Sequence, residues 1–363
     1  MRIGVPAEVM ADERRVGLTP AGALELVTRG HDVWVECDAG AASGYPDAEY
    51  ERMGARIGEA EACWGCDLVV KVKEPQPAEF GSLRDEQVLF TFLHLAAAPG
   101  VAGALQRAGT LAIAYETVED GQGRLPLLAP MSEVAGRLAV QAGAHHLEAP
   151  HGGRGVLLGG AAGVPPGRVA IVGAGIVGTR AARVAAGMGA SVTLLDSDTG
   201  RLRALEMTPV GERVTLQHAT RLAIAEAVTG SDLVVGAVLL PGARAPRLVT
   251  RDMVAAMRPG SVIVDVSVDQ GGCVETTRPT THGDPVYRVD GVVHYCVANM
   301  PAAVPVTATA ALANATLPHI LRIADDGPSA ALRDDPGLAR GVNVRDGHVV
   351  NVAVAAALQG EAA

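Results

Sequence analysis

Short apolar runs alternate with helical stretches along nearly the whole chain, and this alternation constrains the fold more than any other feature. A parallel strand buried on both faces reads as an unbroken run of Val, Ile, Leu and Ala. A helix must then return the chain before the next strand can pair. The first half offers RIGVP from Arg2, DVWVEC from Asp32, DLVVKVK from Asp67, VLFTFL from Val88 and LAIAYET from Leu111. Between the first two lies a helix over Pro20 to Arg29, with Thr19 as its N-cap and Gly30 as its stop. The run GQGRLPLLAP, from Gly121 to Pro130, interrupts the pattern and reads as a linker. A long helix is expected from Ser132 towards Glu148, followed by the Gly-Gly turns of HGGRG and LLGGAAG.

A second series then begins: RVAIVG from Arg168, SVTLLD from Ser191, RVTLQ from Arg213, DLVVGAVL from Asp232, SVIVDVS from Ser261 and VVHYCV from Val292. Six strands in this order match a complete doubly wound, nucleotide-binding sheet. The helical ATAALANATLPHILRIA follows the last of them and is expected to cross back to the first domain. The expected fold is therefore α/β with two doubly wound domains. One is discontinuous, over residues 1–128 and 308–363, and the other is a Rossmann domain over residues 129–307.

Composition narrows the function. Of 363 residues, 44 are Gly and 48% are hydrophobic, but only 3% are aromatic, so the core is built from Val, Leu and Ala. A formal net charge of −10 leaves no basic stripe to neutralise phosphates, which argues against a nucleic-acid partner. No run approaches the roughly 18 apolar residues of a membrane span, and MRIGVPAEVM lacks the apolar core of a signal peptide. Five scattered Cys fit a reducing cytoplasm better than a disulfide framework.

The strongest local motif is Gly173-Ala174-Gly175-Ile176-Val177-Gly178, between the strand RVAIV and the helix IVGTRAARVAAGMG. Gly173 permits a tight turn, Gly175 lets the backbone approach a pyrophosphate, and Gly178 lets helix and strand pack closely. The pyrophosphate charge would rest on N–H groups at the helix N-terminus. Asp196 ends the next strand, about twenty residues on, where a carboxylate can bond the ribose hydroxyls and repel a 2′-phosphate. NAD is thus favoured over NADP, although Arg201 and Arg203 nearby weaken that preference.

Ligands of such sheets bind beyond the carboxyl ends of the strands, and ionisable residues occur there. Lys73 ends DLVVKVK, His94 follows VLFTFL, Asp269 follows SVIVDVSV, and Arg15 sits in the loop after the first strand. These four can face one another across a cleft, with Arg15 gripping a carboxylate bidentately. Each also has a bland reading: His94 as a core imidazole, Lys73 and Glu74 as a surface pair, Asp269 as a turn residue, Arg15 as a solvated charge.

The stretches VGLTPAG, KVKEP, FTFLHLA, LLAPMSEVAGR, GGRGVLLGG, VGAGIVG, VDVSVDQGG and HYCVANMPAAVP occur together and in order. The chain resembles the alanine dehydrogenase family, which includes the NAD-binding part of proton-translocating transhydrogenase. The resemblance runs from Met1 to about Ala356. It implies that Arg15 and Lys73 hold the substrate carboxylate and carbonyl, with Met131 and Asn299 also at the substrate. It further implies that His94 and Asp269 are the catalytic acid–base pair. Cofactor contacts carry over to Ser132, the loop from Gly173 to Gly178, Asp196, Val268, Asp269, Asn299 and Met300, and Arg201, Val238 and Leu239 are expected beside them. The implied reaction is reversible oxidative deamination of L-alanine to pyruvate and ammonia by a homohexamer. The alternatives are a paralogue acting on another small amino or imino acid, or a catalytically silent NAD-binding module. The chain departs from the family wording from Val9 to Arg14, at EAPHGG, and at Ala219-Thr220 in QHAT.

Proton transfer calls for a group titrating near neutrality, which His94 supplies if its pKa stays near ~6.5. Cys63-Trp64-Gly65-Cys66 has redox spacing but precedes a strand, so a structural role is expected. No metal is expected, since no second CxxC or spaced His pair complements it. His145 and His146 read as exposed or interfacial residues of the long helix.

Overall fold

The computed structural model describes residues 1–238 and 245–360. The chain divides into two compact units: Met1–Met131 with Ala302–Ala363, and Ser132–Pro301. The first unit contributes strands β1 (Arg2–Val5), β2 (Asp32–Glu36), β3 (Arg56–Gly58), β4 (Leu68–Val70), β5 (Val88–Thr91) and β6 (Leu111–Ala114). The second contributes β7 (Arg168–Val172), β8 (Ser191–Asp196), β9 (Thr215–His218), β10 (Leu233–Gly236), β11 (Val262–Asp265), β12 (Val286–Val289) and β13 (Val292–Tyr295). The chain returns to the first unit with β14 (Val342–Arg345) and β15 (His348–Val349).

Both units build a doubly wound sheet, as expected. In the first the order is β15-β14-β6-β5-β4-β1-β2-β3, with β1 to β6 all parallel. In the second it is β12-β13-β11-β10-β7-β8-β9, parallel except for β12. Each order reverses direction once, between β1 and β4 and between β7 and β10. Loops leaving the carboxyl ends of those strands diverge to opposite faces, and the gap between them receives a ligand. Arg15 and Lys73 follow β1 and β4. The glycine loop and Val238 follow β7 and β10.

Several elements differ from the sequence reading. The second sheet has seven strands rather than six, because β12 pairs antiparallel with β13 across Asp290-Gly291. Likewise β14 and β15 form a hairpin across Asp346-Gly347 at the sheet edge. All four turn residues have positive φ, from 50° to 80°, the backbone that an Asp-Gly turn of this kind requires. The signal was present in both dipeptides. Strand β3, only three residues long, had none. The long helix runs over Ala129–His146, three residues earlier at its start, since Pro130 is tolerated in a first helical turn.

The packing is dry and close. Leu89, Leu93, Leu105, Ala112 and Val344 meet in the first unit, and Val172, Leu195, Val234, Ile263 and Val292 in the second. The helix Pro305–Asp326 joins the first unit through Thr309, whose hydroxyl accepts the Val16 N–H at 3.2 Å and bonds Ser43 at 2.8 Å. At Gly4 in β1, an added Cβ would lie 2.0 Å from the carbonyl oxygen of Cys63. The helix Ala60–Trp64 therefore rests directly on strand backbone. We expect Gly4→Ala to destabilise the first unit by about 1–3 kcal/mol, the usual range for overpacking. Thermal unfolding checks this, and an unchanged melting temperature would show that the helix is free to shift.

Candidate active site

In the first unit the site is assembled around buried charge. Lys71 follows β4, has no exposed side-chain surface, and places Nζ 2.7 Å from Glu79 and 3.2 Å from Glu8. Burial disfavours its charge, but the two carboxylates outweigh that and hold its pKa above the ordinary value. The other Glu8 oxygen accepts the Val72 N–H at 2.6 Å and the Lys73 N–H at 3.4 Å. Lys73 itself is largely enclosed, with Nζ 3.8 Å from Glu74 Oε2, beyond hydrogen-bond reach. Lys73 and Glu74 are thus no surface pair: their side chains are 13% and 14% exposed.

Arg15 is only 2% exposed, which removes the solvated-charge reading. Its Nε and Nη2 donate to the two Glu13 oxygens at 2.7 and 2.5 Å, while Nη1 lies 3.0 Å from the sulfur of Met131. A guanidinium has more than one edge. One edge of the Arg15 guanidinium is engaged by Glu13.

His94 stands at the end of β5 in a left-handed conformation, φ 48° and ψ 34°, uncommon for a residue with a Cβ. Glu116 holds it there, accepting N–H groups from His94 at 2.6 Å and from Leu93 at 3.2 and 3.3 Å. The His94 ring stacks on Phe92, with centroids 5.7 Å apart. The residue is exposed at the protein surface. Lost hydration around the ring, then repulsion from Lys73, lowers its pKa to about 4; Glu74 opposes this, and Arg15 adds a smaller lowering effect. The shift is away from the near-neutral titration expected from the sequence and favours the uncharged imidazole.

In the second unit the glycine loop has the geometry a dinucleotide needs. Gly173 has φ +103°, and a Cβ on it would press on the Ala237 carbonyl at 2.5 Å. A Cβ on Gly178 would lie 1.7 Å from the Gly173 carbonyl oxygen, so helix and loop touch backbone to backbone. Around Gly175, by contrast, nothing lies within 4 Å of where a Cβ would point. The helix Ile176–Gly187 starts there without a side-chain cap, and the N-terminus of a helix favours a bound anion. Ala174 is buried, Ile176 exposed, and Val177 intermediate.

Asp196 ends β8 and is 6% exposed. Burial opposes its ionisation. Hydrogen bonds from the Asp198 and Ala174 N–H groups and from Arg201 outweigh that and hold the carboxyl below its usual range. Arg201 is thus turned onto Asp196 at 3.0 Å and lies near Asp198 at 3.8 Å.

Asp269 is exposed in the 3₁₀ turn Val268–Gln270, where its Oδ2 accepts the Asn299 N–H at 3.5 Å. Asn299 also has positive φ, 61°. Val268 and Met300 are buried nearby in sequence, while Ser132 and Val238 are partly exposed. Leu239 lies outside the described residues. Behind the turn, Asp265 accepts N–H groups of Ser267, Cys273 and Val274 and the Thr277 hydroxyl, at 2.8 to 3.2 Å. Glu8, Glu13, Glu116 and Asp265 were all missed in the sequence, where nothing distinguishes them from the other acids.

Cys63 and Cys66 are buried free thiols, and burial pushes their pKa up to about 12 and about 11. That leaves no thiolate for redox chemistry at neutral pH. His145 is exposed as expected, but His146 is buried.

A doubly wound sheet with this loop and this strand-end acid, joined to a first unit that encloses the cations of Arg15, Lys71 and Lys73, defines a dinucleotide-dependent α/β protein. The N-terminal domain of alanine dehydrogenase/PNT matches residues 4–135, and the C-terminal domain matches residues 139–352. The chain belongs to this alanine dehydrogenase/PNT family. It is 54% identical to an alanine dehydrogenase of Halomonas elongata, over 98% of this chain and 96% of the relative. A solved L-alanine dehydrogenase superposes with a TM-score of 0.96 at 51% identity, covering 99% of both chains. A transhydrogenase from Sinorhizobium meliloti is more distant, at TM-score 0.83 and 27% identity over 97% of this chain and 100% of its own.

The depressed His94 pKa is directly measurable. Its ring proton resonances should titrate with a midpoint near pH 4 in the ligand-free protein. A midpoint above pH 6 would show that Lys73 and Arg15 do not act on the ring.

Proposed function

We propose that this protein catalyses the NAD-dependent, reversible oxidative deamination of L-alanine: alanine, NAD⁺ and water give pyruvate, ammonium, NADH and a proton. Identity of 54% to an alanine dehydrogenase across 98% of the chain carries the reading. The presence of Arg15, Lys73, His94 and Asp269 supports it. The first unit is the substrate and catalytic unit, and the second binds NAD through the loop from Gly173 to Gly178 and the carboxylate of Asp196. When bound, NAD supplies the acceptor for the hydride leaving Cα.

The protein's own groups do the rest. Arg15 and Lys73 hold the substrate, the guanidinium gripping its carboxylate and the ammonium bonding the carbonyl oxygen of pyruvate. A neutral His94 accepts a proton at its ring nitrogen as water adds to the imino acid. Asp269 stabilises the positive charge on nitrogen and assists that water. The bound carboxylate also offsets the two cations that depress His94, moving its pKa back towards neutrality and readying it to return the proton. Asn299, Met300, Val268, Ser132, Val238 and Arg201 complete the cofactor surroundings. Met131, against Arg15, bounds the space for the substrate side chain.

Among the described residues, no helix is long and apolar enough to cross a membrane. We further propose a cytoplasmic homohexamer, in keeping with the family resemblance. The assay is loss of NADH with pyruvate and ammonium, then with a panel of 2-oxo acids. Pyruvate should be the best substrate. Turnover only with a larger or charged acid would instead favour a paralogue, and no turnover with any would leave a silent module. His94→Ala and Asp269→Ala should each lower kcat by about 10²–10⁴-fold while NADH still binds, a typical loss for general acid–base groups. Near-wild-type turnover in either variant removes that residue from the mechanism.

A further inference from the structure

Three of the chain's ten histidines fall between residues 145 and 151, where the long helix ends. The chain leaves that helix through successive tight turns. The Glu148 N–H donates to the His145 carbonyl at 3.2 Å, and the His151 N–H donates to the Glu148 carbonyl at 3.1 Å. With a period of three, side chains three apart fall on the same side. His145, Glu148 and His151 are therefore stacked, although nothing in their spacing alone marks a site.

Their ligating atoms all lie within 4.8 Å of one another. His151 Nε2 is 3.6 Å from Glu148 Oε2, and the His145 and His151 ring centroids are 3.7 Å apart. Donor atoms about 2.0–2.2 Å from a tetrahedral zinc sit roughly 3.4 Å from each other. One pair is thus close to that separation already, and small rotations of exposed side chains bring in the third. The backbone beneath is held firmly. Gly153 also donates to the Glu148 carbonyl at 3.0 Å, Gly155 to Leu147 at 2.8 Å, and Arg288 Nη2 to the Gly152 carbonyl at 2.6 Å. A preformed turn lowers the ordering cost of binding an ion. A separate observation concerns the same cluster. The neighbouring His146 ring, 5.0 Å from that of His145, has a buried Nδ1 with no hydrogen-bond partner among the described residues.

We propose that His145, Glu148 and His151 form a binding site for a borderline divalent cation, zinc(II) foremost. Two imidazole nitrogens and one carboxylate oxygen suit zinc, copper and nickel, whereas magnesium and calcium prefer oxygen throughout. With three protein ligands, a water fills the fourth position. The ion would tie the end of the helix Ala129–His146 to the turn that follows it. It takes no part in the dehydrogenase chemistry, because none of the three residues belongs to the substrate or NAD surroundings.

The test uses the full chain, stripped with EDTA and titrated with zinc chloride against a chromophoric chelator. One equivalent per chain should bind, and zinc should raise the melting temperature. His151→Asn and Glu148→Gln should each weaken binding by at least about tenfold, since even groups that only orient metal ligands are worth that much. Their metal-free melting temperatures and NADH oxidation should match wild type. Absence of stoichiometric binding to wild type overturns the proposal, as does equal binding by the variants. Should a variant fold poorly, the cobalt(II)-loaded wild-type protein decides. A tetrahedral visible band without thiolate charge transfer supports the site, and a thiolate band assigns the ion to cysteine and overturns it.

Discussion

Lys71 is the constraint on which the first unit's site rests. A buried ammonium costs several kcal/mol unless it is paired and hydrogen-bonded, so its position demands two acids at once. Glu8 comes from the loop after β1 and Glu79 from the turn Pro77–Ser82, and meeting that demand draws both onto the end of β4. Tyr115 adds a hydroxyl bond to the Lys71 carbonyl at 3.0 Å. Glu79 also accepts the Gln76 N–H at 2.7 Å, closing the turn that follows KVKEP. The chain on either side of Lys73 is thereby pinned.

The same device recurs wherever a loop carries chemistry. Glu116 gathers the N–H groups of Leu93 and His94, Glu13 those of Arg14 and Arg15, Asp196 those of Ala174 and Asp198, and Asp265 those of Ser267, Cys273 and Val274. An ionised carboxylate accepts several N–H bonds, each stronger than a neutral one, and so holds an irregular loop in one conformation. At His94 the result is a left-handed backbone kept in place by a single acid. Part of the negative charge of the chain is thus structural, spent on shaping loops rather than on repelling nucleic acid.

Two site features differ from what residue types suggest. Arg15 is an enclosed fork engaged by Glu13 rather than a solvated charge. Burial of His94, and after it the Lys73 ammonium, lowers the pKa of its ring.

The sequence alone determined the features that are local. The strands announce themselves as apolar runs, the glycine loop needs only the six residues from Gly173 to Gly178 and their flanking strand and helix, and Asp196 lies a fixed strand length away. Both antiparallel hairpins were legible too, in Asp290-Gly291 and Asp346-Gly347, where only a tight turn satisfies the dipeptide. Tertiary structure alone decided which acids matter. Glu116 reaches His94 over 22 positions and Glu8 reaches Val72 over 64, and no local pattern reports which distant N–H a carboxylate will meet. It also decided the state of His94, because a pKa depends on hydration and on charges brought near by folding, neither of which is written in the residue itself.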